Sequence, residues 1–552
     1  MGGSSTFSRL IITACALGAT LAGPSQADVT AGKTVVLGPF VGQNATKDRA
    51  NLEPLPIEFY GTDLGFSYEH KGRLHFLFGD TSAHETGEPI EKSNGGKFDD
   101  SFGSIDLARW NSPETFGPGH LPPVLIGQNP GSTETAAIDP GQPLEVFKTP
   151  IGGFSNGVNE FGVFFTFKPL GCQADAQCPH HSSCDTGLGD IGKPWTEQAG
   201  LTLFCVDGSP GCRNDTLSDA KGKPVPNSGL CVDRTSSNWQ NTARGRIDGV
   251  VVQLLIGTRD TTVPKRYHTD HSWYTRKFMN SEWRTVRAFD EPGSAGAAAP
   301  DYRWADHPAS RSRVFIWGRP HFVGFNAANR TLSAYFAYVD LPRARGYAWN
   351  PRFFAGLDAK GQPRFSSRED EAKPLDLDST QPGVQAAEST DMVDQVSVAW
   401  VPALAKWVML YGGGVTTLPI EPGLKKCGVL ELFIGPECSS VNLGNGAIRM
   451  RTADAPWGPW SPSQDVLVAG DPSVPAKQYG PGGVLYQKDC KDPSCAQPTR
   501  QRDLHPNEYG FLYAPNIIEQ WSRATADGAD IYWNVSTWDP YRIVLVRTHL
   551  KR

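Results

Sequence analysis

The sequence predicts an all-β chain, a five-bladed β-propeller with a disulfide-rich insertion, and three observations carry that prediction. Amphipathic helical periodicity is scarce along the 552 residues. Short apolar, aromatic-rich runs recur instead, grouped as a hairpin followed by an outer strand, a unit that fits propeller blades better than a sandwich. Gly (59) and Pro (44) are abundant beside 15 Trp and 15 Tyr, a composition suited to tight turns between aromatic-faced strands. With the insertions set aside, the count is near five units.

Residues 1–27 read as a secretory signal. They hold one charge, Arg9, an apolar run over 10–22 and the small-residue site Ser25-Gln26-Ala27. The apolar run is too short to span a bilayer, and no later stretch is long and apolar enough for a membrane helix. Residues 28–552 are therefore expected to form one propeller domain in an exported, soluble protein.

The first hairpin lies in the stretch GTDLGFSYEHKGRLHFLFGDT, residues 61–81. Apolar runs at 64–68 and 74–78 are joined by a turn over Glu69-His70-Lys71-Gly72. Asp63 stands before the first strand and Asp80 after the second, so antiparallel pairing makes them neighbours. Gly61, Gly65 and Gly79 leave room there for a ligand to approach the backbone. The alternative is that both aspartates cap turns, a common place for Asp.

Later strands are expected at 163–167, after Gly152-Gly153-Phe154, and at 250–256, 314–317 and 332–339. A further hairpin, 396–400 with 407–411, turns over 402–406. Strands at 448–452, 511–518, 531–536 and 542–548 follow. Trp457 and Trp460 are expected to pack between blades, as large aromatics commonly do. Residues 358–385 read as a long surface loop, and residues 171–235 as a cysteine-rich excursion from the second blade.

Of 11 cysteines, Cys15 leaves with the signal, and an even number remains in an oxidising compartment. Local pairs are expected for Cys427 with Cys438 and Cys490 with Cys495. Cys172, Cys178, Cys184, Cys205, Cys212 and Cys231 fall in the insertion. His180 and His181 among them raise zinc as an alternative, although the spacing fits no zinc pattern well.

The charge balance is mildly acidic, 52 Lys+Arg against 58 Asp+Glu with no basic tract, which argues against nucleic acid and anionic membrane as partners. No HExxH helix or calcium loop is present. No cofactor or metal is expected, and the protein is expected to be a monomer.

In a propeller the innermost strands converge on the axis, and their ends line a funnel. Asp63, Asp80 and Asp394, which precedes its hairpin as Asp63 precedes its own, are the candidate catalytic residues. Asp391, just upstream of Asp394, Arg319 and His321, which lie at a third-blade strand end, and Tyr513, Asn516 and Trp538 in the last blade are candidate substrate-binding residues. Carboxylates can perform acid/base or nucleophilic work on a glycosidic bond. Aromatic faces stack on sugar rings while Arg and Asn bond hydroxyls, so the set suits a sugar polymer. Turn-forming and packing roles remain the alternatives for these residues.

Four segments carry a resemblance: GTDLG…LHFLFGDT near the start, VSVAWVPALAKWVMLYGGG at 396–414, IRMRTADAPWGPWS at 448–461 and IYWNVSTWDPYRIVLVRT at 531–548. Together they resemble a bacterial secreted family long catalogued as a domain of unknown function, which includes endo-D-arabinanases. The resemblance covers most of residues 55–550 outside the insertion. It implies a five-bladed propeller that hydrolyses the D-arabinan of mycobacterial cell walls, with Asp63 and Asp80 on the family's opening aspartates. Asp394 falls near a further carboxylate position and is the general acid it implies; the neighbouring Gln395 stands where an acid is expected. A non-catalytic carbohydrate-binding propeller and a surface-adhesion propeller are the competing functions.

Overall fold

A computed structural model of the chain describes residues 29–42, 61–82, 99–117, 119–126, 149–179, 182–185, 229–232, 251–260, 267–287, 312–319, 334–341, 349–377, 395–419, 425–427, 438–467, 511–538 and 542–552. Five sheets arranged as the blades of a propeller follow one another. Strand β1 (Thr30–Gly42) opens the described chain but belongs to the last blade. Blade I is β2 (Gly61–His70), β3 (Arg73–Ser82), β4 (Asp99–Asp106) and β5 (Leu125–Ile126), paired in that order. Blade II begins with β6 (Thr149–Ser155) and β7 (Glu160–Pro169).

The chain then leaves blade II. Strands β8 (Gly171–Cys172), β9 (Ser183–Asp185) and β10 (Gly229–Val232) make a small sheet of their own. It is stapled by Cys172–Cys184 and Cys178–Cys231. These four sulfurs are committed to disulfides rather than to zinc. Cys205, Cys212, Cys490 and Cys495, and the side chains of Cys427 and Cys438, lie outside the described residues, as do His180 and His181. Blade II resumes with β11 (Val252–Arg259) and β12 (Tyr267–Thr275).

Blade III is β13 (Asn280–Arg287), β14 (Ser312–Arg319), β15 (Tyr335–Asp340), β16 (Arg352–Leu357) and β17 (Pro363–Ser366). Blade IV is β18 (Val396–Val401), β19 (Lys406–Pro419), β20 (Lys425–Cys427), β21 (Cys438–Ala453) and β22 (Gln464–Leu467). Blade V is β23 (Phe511–Ile517), β24 (Arg523–Ala524), β25 (Gly528–Trp538) and β26 (Arg542–Lys551). Strand β1 pairs antiparallel with β26, so the two ends of the described chain close the ring in one sheet.

The strands β2, β6, β13, β18 and β23 are innermost, each abutting the next around the axis. Each seam between blades has its own apolar cluster. Tyr68, Phe102 and Phe164 fill the seam of blades I and II. Phe154, Trp273 and Trp283 fill that of II and III; Trp317, Trp407 and Trp460 that of III and IV, with Trp457 packed against it. Leu410, Ile531 and Trp533 join IV to V, and Phe40, Phe76 and Trp521 join V to I. Burying one such side chain stabilises the fold by roughly 1.5–3 kcal/mol. On β6, a Cβ at Gly152 would sit 2.3 Å from Trp283 and one at Gly153 2.5 Å from Tyr68, so only glycine lets both neighbouring blades approach this closely.

Three expectations are corrected. Glu69 pairs with Leu74 and His70 with Arg73, which leaves a two-residue turn. Lys71 and Gly72 have φ of 49° and 79°, as the tight hairpin turn that matches strand twist requires. Asp63 lies within β2, and Asp80 within β3, rather than outside the strands. Finally, 358–377 is not simply surface loop. It holds β17, and Glu369, Leu375 and Leu377 are fully or almost fully buried. The Glu369 carboxylate accepts the backbone N–H groups of Arg276 and Lys277; residues 378–394 lie outside the described residues.

Candidate functional site at the propeller axis

Strand β2 does not run straight. Leu64 and Gly65 both sit in the left-handed region, at φ of 66° and 81°, and the register with β3 shifts there. For leucine that conformation costs about 1–2 kcal/mol. The neighbouring blade holds it in place. Leu64 N–H donates to Ser536 Oγ at 2.8 Å, and Asn534 Nδ2 donates to the Gly65 carbonyl at 2.9 Å. On the facing strand β23, Ala514 is likewise left-handed, at φ 49°, with its own register shift. Leu64, Phe66 and Ala514 bury one another between the two kinks, with Tyr513 packed alongside.

The kinks bring the Tyr513 hydroxyl to Asp63, where it donates to Oδ2 at 2.9 Å. Asp63 is 7 % exposed. Its partner across β3 is Gly79, where a Cβ would lie 2.7 Å from Asp63 Oδ1. A side chain at that position would displace the carboxylate. Asp80 is the next residue along β3; its side chain lies outside the described residues.

Further down the same two strands, Asn516 Oδ1 accepts Ser67 N–H at 3.1 Å and Ser67 Oγ–H at 2.7 Å. Here Arg284 of β13 crosses the axis. Its Nε donates to the Val398 carbonyl at 2.8 Å. Its two Nη groups donate to Ser67 O at 3.3 Å, Ile517 O at 2.8 Å and Ser397 Oγ at 3.2 Å. Glu282, two residues earlier, pairs with Arg284 Nη2 at 2.5 Å and accepts from Ser397 Oγ at 3.5 Å. Burial pushes the Glu282 carboxyl up to about 7, although Arg284 and Ser397 pull it down. Among the described innermost strands the carboxylates are Asp63, Glu69 and Glu282. Glu69 sits at the hairpin turn, bonded to Gly72 N–H.

The sequence-predicted residues therefore separate. Asp63, Tyr513 and Asn516 come together at the seam of blades V and I. Asn516 is buried there, bonded to Ser67. Arg319 ends β14 opposite Asn280, at the head of the blade III inner strand, and is buried. Trp538 ends β25, paired through the backbone with Phe511, and its side chain lies outside the described residues, as do all of Asp391, Asp394 and His321. Glu282 and Arg284 were missed, because β13 reads Asn-Ser-Glu-Trp-Arg-Thr-Val-Arg and shows only a faint strand alternation around Trp283; Ser397 was missed although its strand β18 was expected, because a lone serine in an apolar run carries no signal of its own.

A second polar cluster lies at the other end of β2. Glu160 of β7 is buried between His75 Nε2 at 3.3 Å, His70 Nε2 at 3.7 Å, Tyr68 OH at 3.2 Å and the Arg259 guanidinium. His70 Nδ1 meets Ser155 Oγ at 2.7 Å. The His75 ring is stacked between Tyr68 and Phe102, with centroids 5.3 and 5.2 Å away. Burial pushes His75 down to about 3 despite Glu160. His70 is lowered for the same reason. Glu160 stays below the usual carboxylate range, because the pull of His75, Arg259 and His70 outweighs its burial. Glu160, His70, Tyr68 and Arg259 find these partners within blades I and II, while His75 Nδ1 is buried without a hydrogen-bond partner among the described residues; the cluster lies in the seam of the two blades.

No family model matches the chain, and no curated protein matches it. Solved structures similar over most of its length include three glycoside hydrolases. One is a GH62 hydrolase in complex with xylotriose, at 8% identity over 94% of this chain and 97% of that one, with a TM-score of 0.33. Another is the catalytic domain of Coprinopsis cinerea GH62 alpha-L-arabinofuranosidase, at 8% identity, 94% and 97% coverage and a TM-score of 0.30. The third is a GH43_1 enzyme from Xanthomonas citri, at 10% identity, 91% and 92% coverage and a TM-score of 0.31. At this distance they say nothing about the chemistry of this chain.

Proposed function

We propose that this chain is an exported glycoside hydrolase that cleaves a furanose polysaccharide, endo-acting on D-arabinan of the mycobacterial cell-wall type. The observation that carries the reading is Asp63. It is held buried on an innermost strand by a strained kink, against a tyrosine of the adjacent blade, in a position that turn capping does not require. Non-glycine residues in left-handed backbone cluster at functional sites, where surrounding contacts sustain the strain. The resemblance of the four sequence segments to endo-D-arabinanases supports the substrate.

In this reading Asp63 is the base or nucleophile, and Asp80, beside it on β3, tunes or orients it. Glu282 supplies the proton, a role also open to Asp394, which lies outside the described residues. A carboxyl held near neutral pH by burial is suited to a general acid, and it differs in environment from a carboxylate that accepts a tyrosine hydroxyl. Polar atoms support a hydroxyl-rich ligand. Thr149 Oγ1 at the head of β6, Gln395 Oε1 just before β18 and Asn516 Nδ2 are buried without a hydrogen-bond partner among the described residues. Buried polar groups rarely stay unsatisfied, and sugar hydroxyls can both donate and accept.

Incubating the purified mature protein with mycobacterial arabinogalactan and related polysaccharides, followed by product analysis, tests this. Release of arabino-oligosaccharides is the expected result. Binding without release would favour a carbohydrate-binding propeller, and neither binding nor release would remove the carbohydrate reading.

A further inference from the structure

We infer that Arg284 is a positioning residue that sets the Asp63–Tyr513 contact by clamping the two strands that carry it. The inference rests on the reading of Asp63 as catalytic. Asp63 is on β2 and Tyr513 on β23, in different blades, and their 2.9 Å contact spans a seam. Four residues further along each strand come Ser67 and Ile517. Arg284 binds both of their carbonyls from a third blade, and through Val398 O and Ser397 Oγ it also holds a fourth. One planar group thus fixes β2, β18 and β23 relative to β13.

No other residue type does this. A guanidinium presents five donors in a rigid fork, whereas a lysine ammonium is a compact charge with three. Ser397 ties the clamp to the same seam, because Ile517 N–H donates to its Oγ at 2.9 Å. Asn516 supports β2 against β23 but touches neither blade III nor blade IV through a described hydrogen bond. Without Arg284, β2 and β23 keep the two Asn516–Ser67 hydrogen bonds and the packing of Leu64, Phe66 and Ala514, but the tie that fixes Ser67 and Ile517 to β13 is lost. Misplacing a catalytic group by about 1 Å can lower a rate by about a hundredfold.

The test places 3-fluorotyrosine at position 513 and reads its fluorine resonance in wild type, Arg284→Lys, Arg284→Met and, as reference, Asp63→Asn. The expected result is a resonance displaced toward the Asp63→Asn position in both Arg284 variants. On arabinan, kcat should fall about a hundredfold with KM within about threefold. Arg284→Lys keeps the charge beside Glu282 and carries the same readout should Arg284→Met fail to fold. A resonance unchanged in Arg284→Lys, with only the melting temperature lowered, would overturn the clamp and leave a structural brace. If wild type releases nothing from arabinan, the hydrolase reading falls, and the fluorine resonance still decides whether Arg284 sets the contact.

Discussion

Acid should loosen the seam between blades I and II, and His75 should account for a definable share of the effect. The ring is buried between Tyr68 and Phe102 and faces Glu160, His70 and Arg259, with Arg73 also near. Burial pushes its folded pKa down to about 3 from the ordinary histidine value of 6.5. Below the unfolded value the unfolded chain takes up a proton that the folded chain refuses. Stability is therefore lost as pH falls from about 6.5 toward 3, and the loss levels off below that. From about pH 7 to about pH 5, this one group removes roughly 2 kcal/mol. Glu160 acts in the same direction at lower pH, since its folded pKa is lowered and the stability it contributes is lost as it protonates. His75→Phe keeps a ring between Tyr68 and Phe102 and removes the titration. Amide exchange of β2, β3 and β7, corrected for intrinsic rates, should accelerate about thirtyfold more in wild type than in His75→Phe over that interval, because 1.4 kcal/mol is a factor of ten. Equal acid sensitivity in the two proteins would refute the assignment of the seam's acid lability to His75.

Three further outcomes are expected. Asp63→Asn should lower hydrolysis of arabinan at least about a thousandfold, about 4 kcal/mol of barrier, with little change in melting temperature; a lower melting temperature with turnover kept would mark a turn cap. If Glu282 donates the proton, wild-type kcat should fall as pH rises through about 7, where its carboxyl loses the proton, and Glu282→Gln should flatten that limb while lowering kcat about 10²–10⁴-fold. Asn516→Ala leaves the buried Ser67 N–H and hydroxyl without their acceptor and should cost about 1–3 kcal/mol in denaturant unfolding; a cost near zero would show that water replaces the amide.

Much of the propeller was legible because its middle strands are apolar on both faces. Strands β3, β11, β14, β15 and β26 pack into seams on each side, so they read as continuous aromatic or β-branched runs. What stayed hidden depends on partners far away in sequence. Strand β1 pairs with the end of the chain, and nothing within its own run announces that partner. The first turn was read as four residues because Glu69 and His70 are polar. Yet His70 is buried against Ser155 of the next blade, which makes it part of the strand. Asp63 and Tyr513 were found from hairpin geometry and rim position, whereas their contact depends on left-handed backbone at Leu64 and Ala514, which neither residue type advertises.

The parts of the axis that break local rules are also those that depend on ring closure. Leucine and alanine occupy left-handed backbone, and a glutamate and an arginine lie buried on a strand that looks like polar surface. The groups that satisfy them come from other blades: Ser536 and Asn534 for the β2 kink, Ser67, Val398 and Ile517 for Arg284. Blade I, made first, therefore cannot hold Asp63 in its observed geometry until blade V, made last, supplies Ser536, Asn534 and Tyr513. Blade V in turn needs β1, from the start of the chain, to complete its sheet. Local consistency builds each blade, and the strain that only the closed ring can sustain is concentrated where the chemistry is proposed to occur.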